Sequence, residues 1–302
     1  MGNFMQTQQA NALLDTAKAN IEKAQRLIQG RTTPHINTKA MLGRTNATLF
    51  EGQMNSAQRA CVLGFMFVHA MFVMLGMTVP LQYLAYVLAT TYHETGRTMK
   101  PIEEWGKGQG HSYGEPDPNT GQTYYGRGYV QLTWLANYAK AKAVVYSRNW
   151  QQGVIDFVNA PELALNPFYA AQIAISGMMA GWFTGKKLSD YLQLDGSFDY
   201  QGARAIINGK DKAEQIAAYA IAFETALYLA IGTDIERSVI QRGSTGDDVR
   251  ELQLGLGLNP DGKFGNATQT ALIHFQQQHE LNPDGICGSS TWTAFEKEIY
   301  GL

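Results

Sequence analysis

The spacing of apolar residues along the chain predicts a protein built mainly from α-helices. In residues 81–89, apolar side chains recur every three or four positions, which is the pattern of one helix face. The most apolar stretch, residues 61–79, is just long enough to cross a bilayer. His69 and two glycines interrupt this stretch, and the next helix starts directly after Pro80. We therefore predict a buried core helix with a hydrogen-bonded His69, and no stable membrane insertion.

The remaining patterns place further helices and loops. Residues 111–123 are rich in Gly, Pro, Asp and Asn and lack periodicity, so they predict a loop. Residues 6–29 predict a polar, locally basic helix that either docks on the main body or contacts an anionic membrane. Docking is the simpler interpretation because the apolar stripe is mostly alanine, and residues 31–48 would then be a linker. Additional helices are predicted at residues 139–145, 167–179 and 213–231.

An internal repeat marks the C-terminal segment. Residues 258–271 align with residues 281–294, and each copy reads as a Pro-Asp-Gly turn followed by a helix. Asn266 and Ser289 are the predicted N-caps of these helices. A third helix before both copies completes a small three-helix module over residues 238–302, whose predicted core is Leu272, Phe275, Trp292 and Phe295.

Length and composition are those of a two-domain globular protein. The 302 residues, 45% hydrophobic and 17% charged, leave room for an N-terminal extension at 1–50 and a main domain at 51–232. A formal charge of −2 gives no basis for nucleic-acid binding. Cys61 and Cys287 do not make a disulfide framework, so folding in a reducing cytoplasm is expected. Residues 1–20 lack the basic start and apolar run of a signal peptide, so no export by the general secretory route is expected.

Candidate chemistry is concentrated in residues 90–134, where acids, aromatics, glycines and hydroxyls occur together. Glu94 closes the apolar 81–89 helix, where an apolar setting would raise the pKa of its carboxyl and keep it protonated. Glu103 and Glu104 follow Pro101 on a polar loop, where a carboxylate stays ionised. Glycoside hydrolysis needs this division between an acid and a base, and aromatic side chains stack on sugars. The same pattern also fits a helix end with ordinary surface glutamates.

Other catalytic chemistries find little support. His93-Glu94 begins like the HExxH motif of zinc peptidases, but Arg97 stands where the second histidine would be. The six histidines show no paired spacing, so neither a metal site nor a cofactor is predicted. No GxSxG elbow occurs, and neither cysteine has a histidine beside it in sequence.

Several ordered motifs give a resemblance that covers residues 53–231. They are HETG at 93–96, YYGRGYVQLTW at 124–134, GWFTGKKLSDY at 181–191 and GARAIINGKDKA at 202–213. Together they resemble glycoside hydrolase family 19, and within it the chitinase-like lysozyme domains of bacteriophage endolysins. The repeat at residues 258–294 resembles the peptidoglycan-binding domain built on a DG-x-x-G-x-x-T motif.

The resemblance implies roles for particular residues. Glu94 matches the general acid, Glu103 matches the general base, and Thr133 matches the hydroxyl that holds the attacking water. Glu104 is an alternative base because the loop continues as Glu-Trp-Gly and departs from the Asn-rich sequence of many relatives. Candidates for sugar stacking are Tyr124, Tyr125, Tyr129 and Trp134, at least half of which are expected in the core. The expected substrate-binding residues are Gln131, Tyr138, Asn208, Tyr125 and Arg127.

The expected whole is a mainly α protein. An α-rich lysozyme- or chitinase-like domain with a small β-hairpin would precede the three-helix wall-binding module. The expected activity is inverting hydrolysis of β-1,4 glycosidic bonds in peptidoglycan, by a monomer, leading to host cell lysis. The protein would be made in the host cytoplasm and reach the wall after another protein permeabilises the membrane. A chitinase and a non-catalytic wall-binding protein are the alternatives.

Overall fold

The computed structural model describes residues 36–146, 155–231 and 236–300, and this part of the chain is mainly helical. The predicted mainly α fold class is confirmed. The helix predicted over residues 6–29 lies outside the described residues. The helices of the main body are α1 (Thr38–Leu49), α2 (Ser56–Met74), α3 (Leu81–Glu94), α4 (Leu135–Val144), α5 (Pro167–Ala180) and α6 (Ala213–Ala230). Those of the C-terminal module are α7 (Asp247–Gly255), α8 (Asn266–Gln278) and α9 (Ser289–Tyr300).

Helix α3 is the centre of the main body. Every residue from Leu81 to Tyr92 is buried, so the helix has no solvent face. It packs against α6 and also contacts α2 and α5. Because the packing around α3 fixes the helix, the position of its last residue, Glu94, at the edge of the core is fixed as well.

Helix α2 is the apolar core helix that the sequence predicts. Asn55 caps it in a reciprocal capping box with Gln58, and ten of its 19 residues are buried. His69 Nε2 lies 2.8 Å from the carbonyl oxygen of Val79, which confirms the hydrogen-bonded core histidine. In the described ranges α2 alone is long and apolar enough to span a bilayer, but more than half of its apolar window is buried inside the fold.

The small sheet consists of two very short strands. Strand β1 (Ile102–Glu103) pairs antiparallel with β2 (Arg127–Gly128), and Glu103 lies opposite Arg127. The connection between them is the long loop 104–126, which contains a 3₁₀ turn at Ser112–Gly114. The expected β-hairpin is therefore an antiparallel pair closed by a long loop without a tight turn.

Three local predictions are corrected. Residues 38–48 are not a linker, because α1 starts at Thr38 and buries Met41 and Leu42. Helix α4 begins at Leu135, four residues before the predicted start. In the module, Gly265 and not Asn266 occupies the N-cap of α8.

The C-terminal module and the main body share apolar packing. Leu254 of α7 is buried in the same hydrophobic cluster as α2 and α3. Helix α9 also contacts α2. Arg59 Nη1 reaches Asp247 Oδ2 at 2.7 Å, which adds an ion pair across the junction. The two parts are therefore joined by a surface that we call the module seam (Arg59, Asp247 and Leu254).

A second polar cluster ties the start of α1 to the module. Thr38 Oγ1 donates a hydrogen bond to Glu251 Oε2 at 2.7 Å. The same carboxylate pairs with Arg237, whose Nη1 lies 2.8 Å from Oε2. Arg237 also pairs with Glu296 and lies over the ring of Trp292, at 4.5 Å from its centroid. These groups are nearly all buried, so the cluster depends on complete pairing.

Candidate functional site

Glu94 lies at the C-terminal end of α3 and is held by an arginine. Its Oε1 accepts a hydrogen bond from Arg204 Nη1 at 2.5 Å, and the guanidinium is 1% exposed. Arg204 Nε also donates to the carbonyl oxygen of Asp211 at 2.9 Å. The sequence predicts an apolar setting for Glu94, and this prediction is wrong because a buried cation faces the carboxylate. Within the described residues Oε2 accepts no hydrogen bond, so this oxygen is free for a substrate.

Glu103 lies on β1, after the short loop that follows α3. Tyr125 Oη donates to Glu103 Oε1 at 2.5 Å, and Lys107 Nζ lies 3.4 Å from Oε2. The Tyr125 hydrogen bond, with smaller help from Lys107, lowers the pKa of the Glu103 carboxyl. A lowered pKa keeps the group ionised near neutral pH, which is the state that a general base requires.

Glu104 has both carboxylate oxygens occupied. Tyr113 Oη donates to Oε1 at 3.1 Å, and the backbone N–H of Gly126 donates to Oε2 at 2.9 Å. These bonds fasten the loop 104–126 to the β-strand pair. Glu104 therefore has a structural task on this loop, and the choice between Glu103 and Glu104 as the base stays a prediction.

Gln131 ends the tight turn that follows β2, and Thr133 comes directly after the Arg127–Leu132 bridge that closes it. Gln131 has a left-handed φ of +56°, and its Nε2 lies 3.5 Å from the carbonyl oxygen of Ile102. Thr133 Oγ1 donates to the Gln131 carbonyl at 2.8 Å. Both side chains are half-buried, and Gln131 lies next to the strand that carries Glu103.

Three of the expected substrate-binding residues lie in the core. Tyr138 is fully buried, and its hydroxyl donates to the Tyr125 carbonyl at 2.9 Å. Arg127 Nη1 donates to Tyr138 Oη at 2.9 Å, and its guanidinium lies 3.6 Å from the centroid of the Tyr125 ring. Burial raises the pKa of Tyr138 to about 12. These three side chains have little surface exposed to a polymer, and Tyr125 connects them to Glu103 through its hydroxyl.

Asn208 lies one turn after Arg204, the partner of Glu94. Its backbone N–H donates to the Arg204 carbonyl at 2.9 Å, and its side chain is exposed. The structure thus links one group around Glu94 (Arg204, Asn208) and one around Glu103 (Tyr125, Gln131, Thr133). The separation of the Glu94 and Glu103 carboxyls stays a prediction, at about 6.5–9.5 Å for an inverting enzyme.

Sequence reasoning missed Arg204, although a signal for it exists. An arginine inside the otherwise apolar segment 203–207 needs a carboxylate partner if the segment is buried. Of the four aromatics considered for stacking, Tyr124, Tyr125 and Tyr129 are buried and Trp134 is half exposed. In the described ranges no group of three His, Cys, Asp or Glu side chains converges as a metal site would require.

The repeat of the C-terminal module contains a buried glutamine in each copy, which the sequence alignment did not include. Gln253 Nε2 donates to Asp261 Oδ1 at 2.8 Å and contacts Thr268 Oγ1, while its Oε1 accepts from the Gly262 N–H at 2.8 Å. Gln276 repeats each of these bonds 23 residues later. Its partners are Asp284, Thr291 and Gly285. Each glutamine therefore fixes the Asp-Gly turn onto the helix that precedes it.

Comparison with known families agrees with this repeat. Residues 245–295 match the model of the family described as "Putative peptidoglycan binding domain". No curated protein sequence matches the chain. Residues 245–295 of the C-terminal module thus form a peptidoglycan-binding domain, which supports association of the chain with the cell wall.

Proposed function

We propose that this protein is a glycoside hydrolase that cuts β-1,4 bonds in the glycan strands of bacterial peptidoglycan. The observation that carries the proposal is the pair of hydrogen-bonded carboxyls on two neighbouring elements. Tyr125 bonds Glu103 and lowers its pKa, whereas Arg204 fixes Glu94 through Oε1 and leaves Oε2 without a hydrogen bond from the described residues. The resemblance to family 19 lysozymes and the wall-binding module support the same substrate.

The reaction is a single displacement. Glu94 protonates the glycosidic oxygen through Oε2 while Arg204 holds Oε1. Glu103 takes a proton from a water molecule as that water attacks the anomeric carbon from the opposite face. Thr133 helps to hold this water. One C–O bond forms, one breaks, and the proton gained by Glu103 balances the proton lost by Glu94.

The biological setting follows from the resemblance to phage endolysins. We propose that the enzyme accumulates in the host cytoplasm and lyses the cell after another protein opens the membrane. Peptidoglycan is favoured over chitin because the module at residues 245–295 binds peptidoglycan. If colloidal chitin were cleaved faster than purified sacculi, the chitinase alternative would be correct.

Digestion of purified sacculi tests the activity directly. We expect new reducing ends by mass spectrometry and, by NMR, an initial α-anomer from the β-linked strand. Glu94→Gln should reduce the rate by two or more decades. Glu115→Gln, an exposed glutamate on the loop 104–126, is the matched control and should keep the wild-type rate.

A sacculus that is bound but not cut would identify a non-catalytic wall-binding protein instead. The peptidoglycan-binding domain alone is enough for that alternative. Pull-down of the wild-type chain with sacculi, run beside the digestion, separates the two outcomes.

A further inference from the structure

Two tryptophans are exposed beside the candidate base. Trp105 is fully exposed and Trp134 is 51% exposed. Trp292 is buried in the module, and Trp182 packs against a core cluster. A single exposed apolar side chain is ordinary on a protein surface. Here, however, the two exposed tryptophans of the described ranges each follow a candidate site residue, Glu104 or Thr133.

Ring packing joins Trp134 to Tyr113, and hydrogen bonds fix Glu104, the residue that precedes Trp105. Glu104 is fixed through Tyr113 Oη and through both backbone groups of Gly126, one of which accepts from the Glu104 N–H at 2.7 Å. The Tyr113 ring packs edge-on against Trp134, with ring centroids 5.0 Å apart and an interplanar angle of 77°. We call Trp105, Tyr113 and Trp134 the tryptophan ledge.

The backbone on either side of the ledge is held in unusual conformations. Trp134 has a φ of +74°, which is costly for a residue with a Cβ. After Trp105, positive φ values at Gly106, Lys107 and Gly108 turn the chain back, and the Lys107 N–H donates to the Glu104 carbonyl at 3.0 Å. Costly backbone conformations are found most often at active sites and ligand-binding sites, where the surrounding structure holds them in place.

We propose that the tryptophan ledge binds the sugar rings of the glycan strand next to the Glu103 end of the site. The apolar face of a pyranose ring stacks on an aromatic ring, and a strand offers such a face at every residue. Glu104 connects the two parts of the ledge through Tyr113, so its role is to position the ledge. This inference rests on the proposed function, since it extends the same site along the polymer.

The ledge should affect affinity more than the chemical step. Stacking at a distance from the broken bond is the same in the ground state and the transition state, so its loss raises KM and leaves kcat nearly unchanged. We expect Trp105→Ala to raise KM for peptide-free glycan strands about ten-fold. Trp105→Tyr should recover most of this loss, because it restores an aromatic face.

Binding is measured separately from hydrolysis. Titration calorimetry with peptide-free glycan strands in a Glu103→Gln background gives the Kd without turnover. Trp105→Ala in that background should weaken binding about ten-fold. Leu194→Ala, which removes another fully exposed apolar side chain from a different loop, is the control and should leave the Kd unchanged. Circular dichroism checks folding, which Trp105→Ala should preserve because the side chain is solvent-exposed.

The outcomes of these experiments test the tryptophan-ledge proposal and the hydrolase proposal separately. If Trp105→Ala binds the strands within two-fold of its parent, or if the parent does not bind peptide-free strands, the ledge is wrong even though sacculi are cut. If the parent binds through Trp105 but the wild-type chain cuts no sacculi, the ledge stands and the hydrolase proposal is wrong. A Trp105→Ala chain that loses binding to a host protein and not to glycan would assign the surface to a protein partner and overturn the ledge.

Discussion

Arg204 is the residue on which the position of Glu94 depends. Its buried guanidinium bonds Glu94 Oε1 and the Asp211 carbonyl at the same time. Lysine has a point charge and no fork, so Arg204→Lys cannot keep both bonds. We expect Arg204→Lys to lower kcat about ten-fold or more with KM nearly unchanged, because the acid is misplaced.

Steady-state kinetics on soluble glycan strands measures this change. Arg97→Lys is the matched control, because Arg97 is exposed and its guanidinium contacts the rings of Tyr92 and Tyr219. A rise in KM without a fall in kcat would mean that Arg204 binds substrate instead of positioning the acid.

The hydrogen bond from Tyr125 controls the protonation of Glu103. It is the largest cause of the lowered pKa of the Glu103 carboxyl. Tyr125→Phe removes a donor that stabilises the carboxylate, so the pKa of Glu103 must rise. Because a general base works only when ionised, the acid limb of the kcat/KM profile should move to higher pH.

The same profile discriminates between the two candidate bases. Tyr113→Phe removes the equivalent donor from Glu104 and keeps the aromatic ring. If Glu103 is the base, the limb moves in Tyr125→Phe and stays in place in Tyr113→Phe. The reverse result would assign the base to Glu104.

At the scale of elements, the buried glutamines of the module give the sharpest prediction. Gln276→Ala leaves the Gly285 N–H without its partner, and the Thr291 hydroxyl keeps only its 3.5 Å bond to the Ile286 carbonyl. Buried polar groups that lose their partners cost about 1–3 kcal/mol each, so we expect a loss of about 2–4 kcal/mol. Urea unfolding of the full chain measures it. Gln277→Ala, one residue further and exposed, should change stability by less than about 0.5 kcal/mol.

The turn carboxylates should make the module sensitive to acid. The N–H of Ile286 and the amide of Gln276 lower the pKa of Asp284. A carboxyl whose pKa is lowered on folding contributes stability above its unfolded pKa, and this stability is lost as pH falls through the folded value. Asp284→Asn should therefore lower the stability at neutral pH and flatten its decline in acid, as seen in urea unfolding at a series of pH values.

Helices were predictable from the sequence where one face of the helix, or the whole helix, is apolar. The periodicity at residues 81–89 lies in α3, and the run at 61–79 overlaps α2. Helix α1 was not predicted because its sequence, TKAMLGRTNATL, has few apolar residues, and its burial comes from packing on α6. The hydrogen bonds of Gln253 and Gln276 were missed because a glutamine in a helix pattern looks like a surface residue.

The types of the candidate site residues were predictable from the sequence, but the surroundings of their side chains were predictable only in part. The ionised state expected for Glu103 agrees with its lowered pKa, which a nearby hydroxyl causes. The setting of Glu94 was not predictable, since Arg204 is 110 residues away in sequence. Tyr138 and Arg127 looked like binding residues because polar and aromatic types are common in both clefts and cores, and only burial separates the two.

At the scale of the whole molecule, the module seam predicts joint unfolding. Leu254 belongs to the module by sequence and to the main core by packing. Calorimetry of the wild-type chain should show one transition. Leu254→Asp places a charge in that shared core and should split the transition into two or lower the first one by several degrees. Leu256→Asp, at a half-buried position of the module, is the comparison, and two transitions in the wild type would contradict the shared core.

The seam also has a consequence for the reach of the proposed hydrolase. A wall-binding domain on a flexible linker would let the Glu94–Glu103 site meet many bonds around each point of attachment. Because Leu254 packs in the core of the main body, the proposed site would instead meet bonds at a nearly constant distance from the point where the module binds. Glycan fragments released early in digestion should then have a narrow range of lengths. A substitution that weakens the module seam should broaden this range.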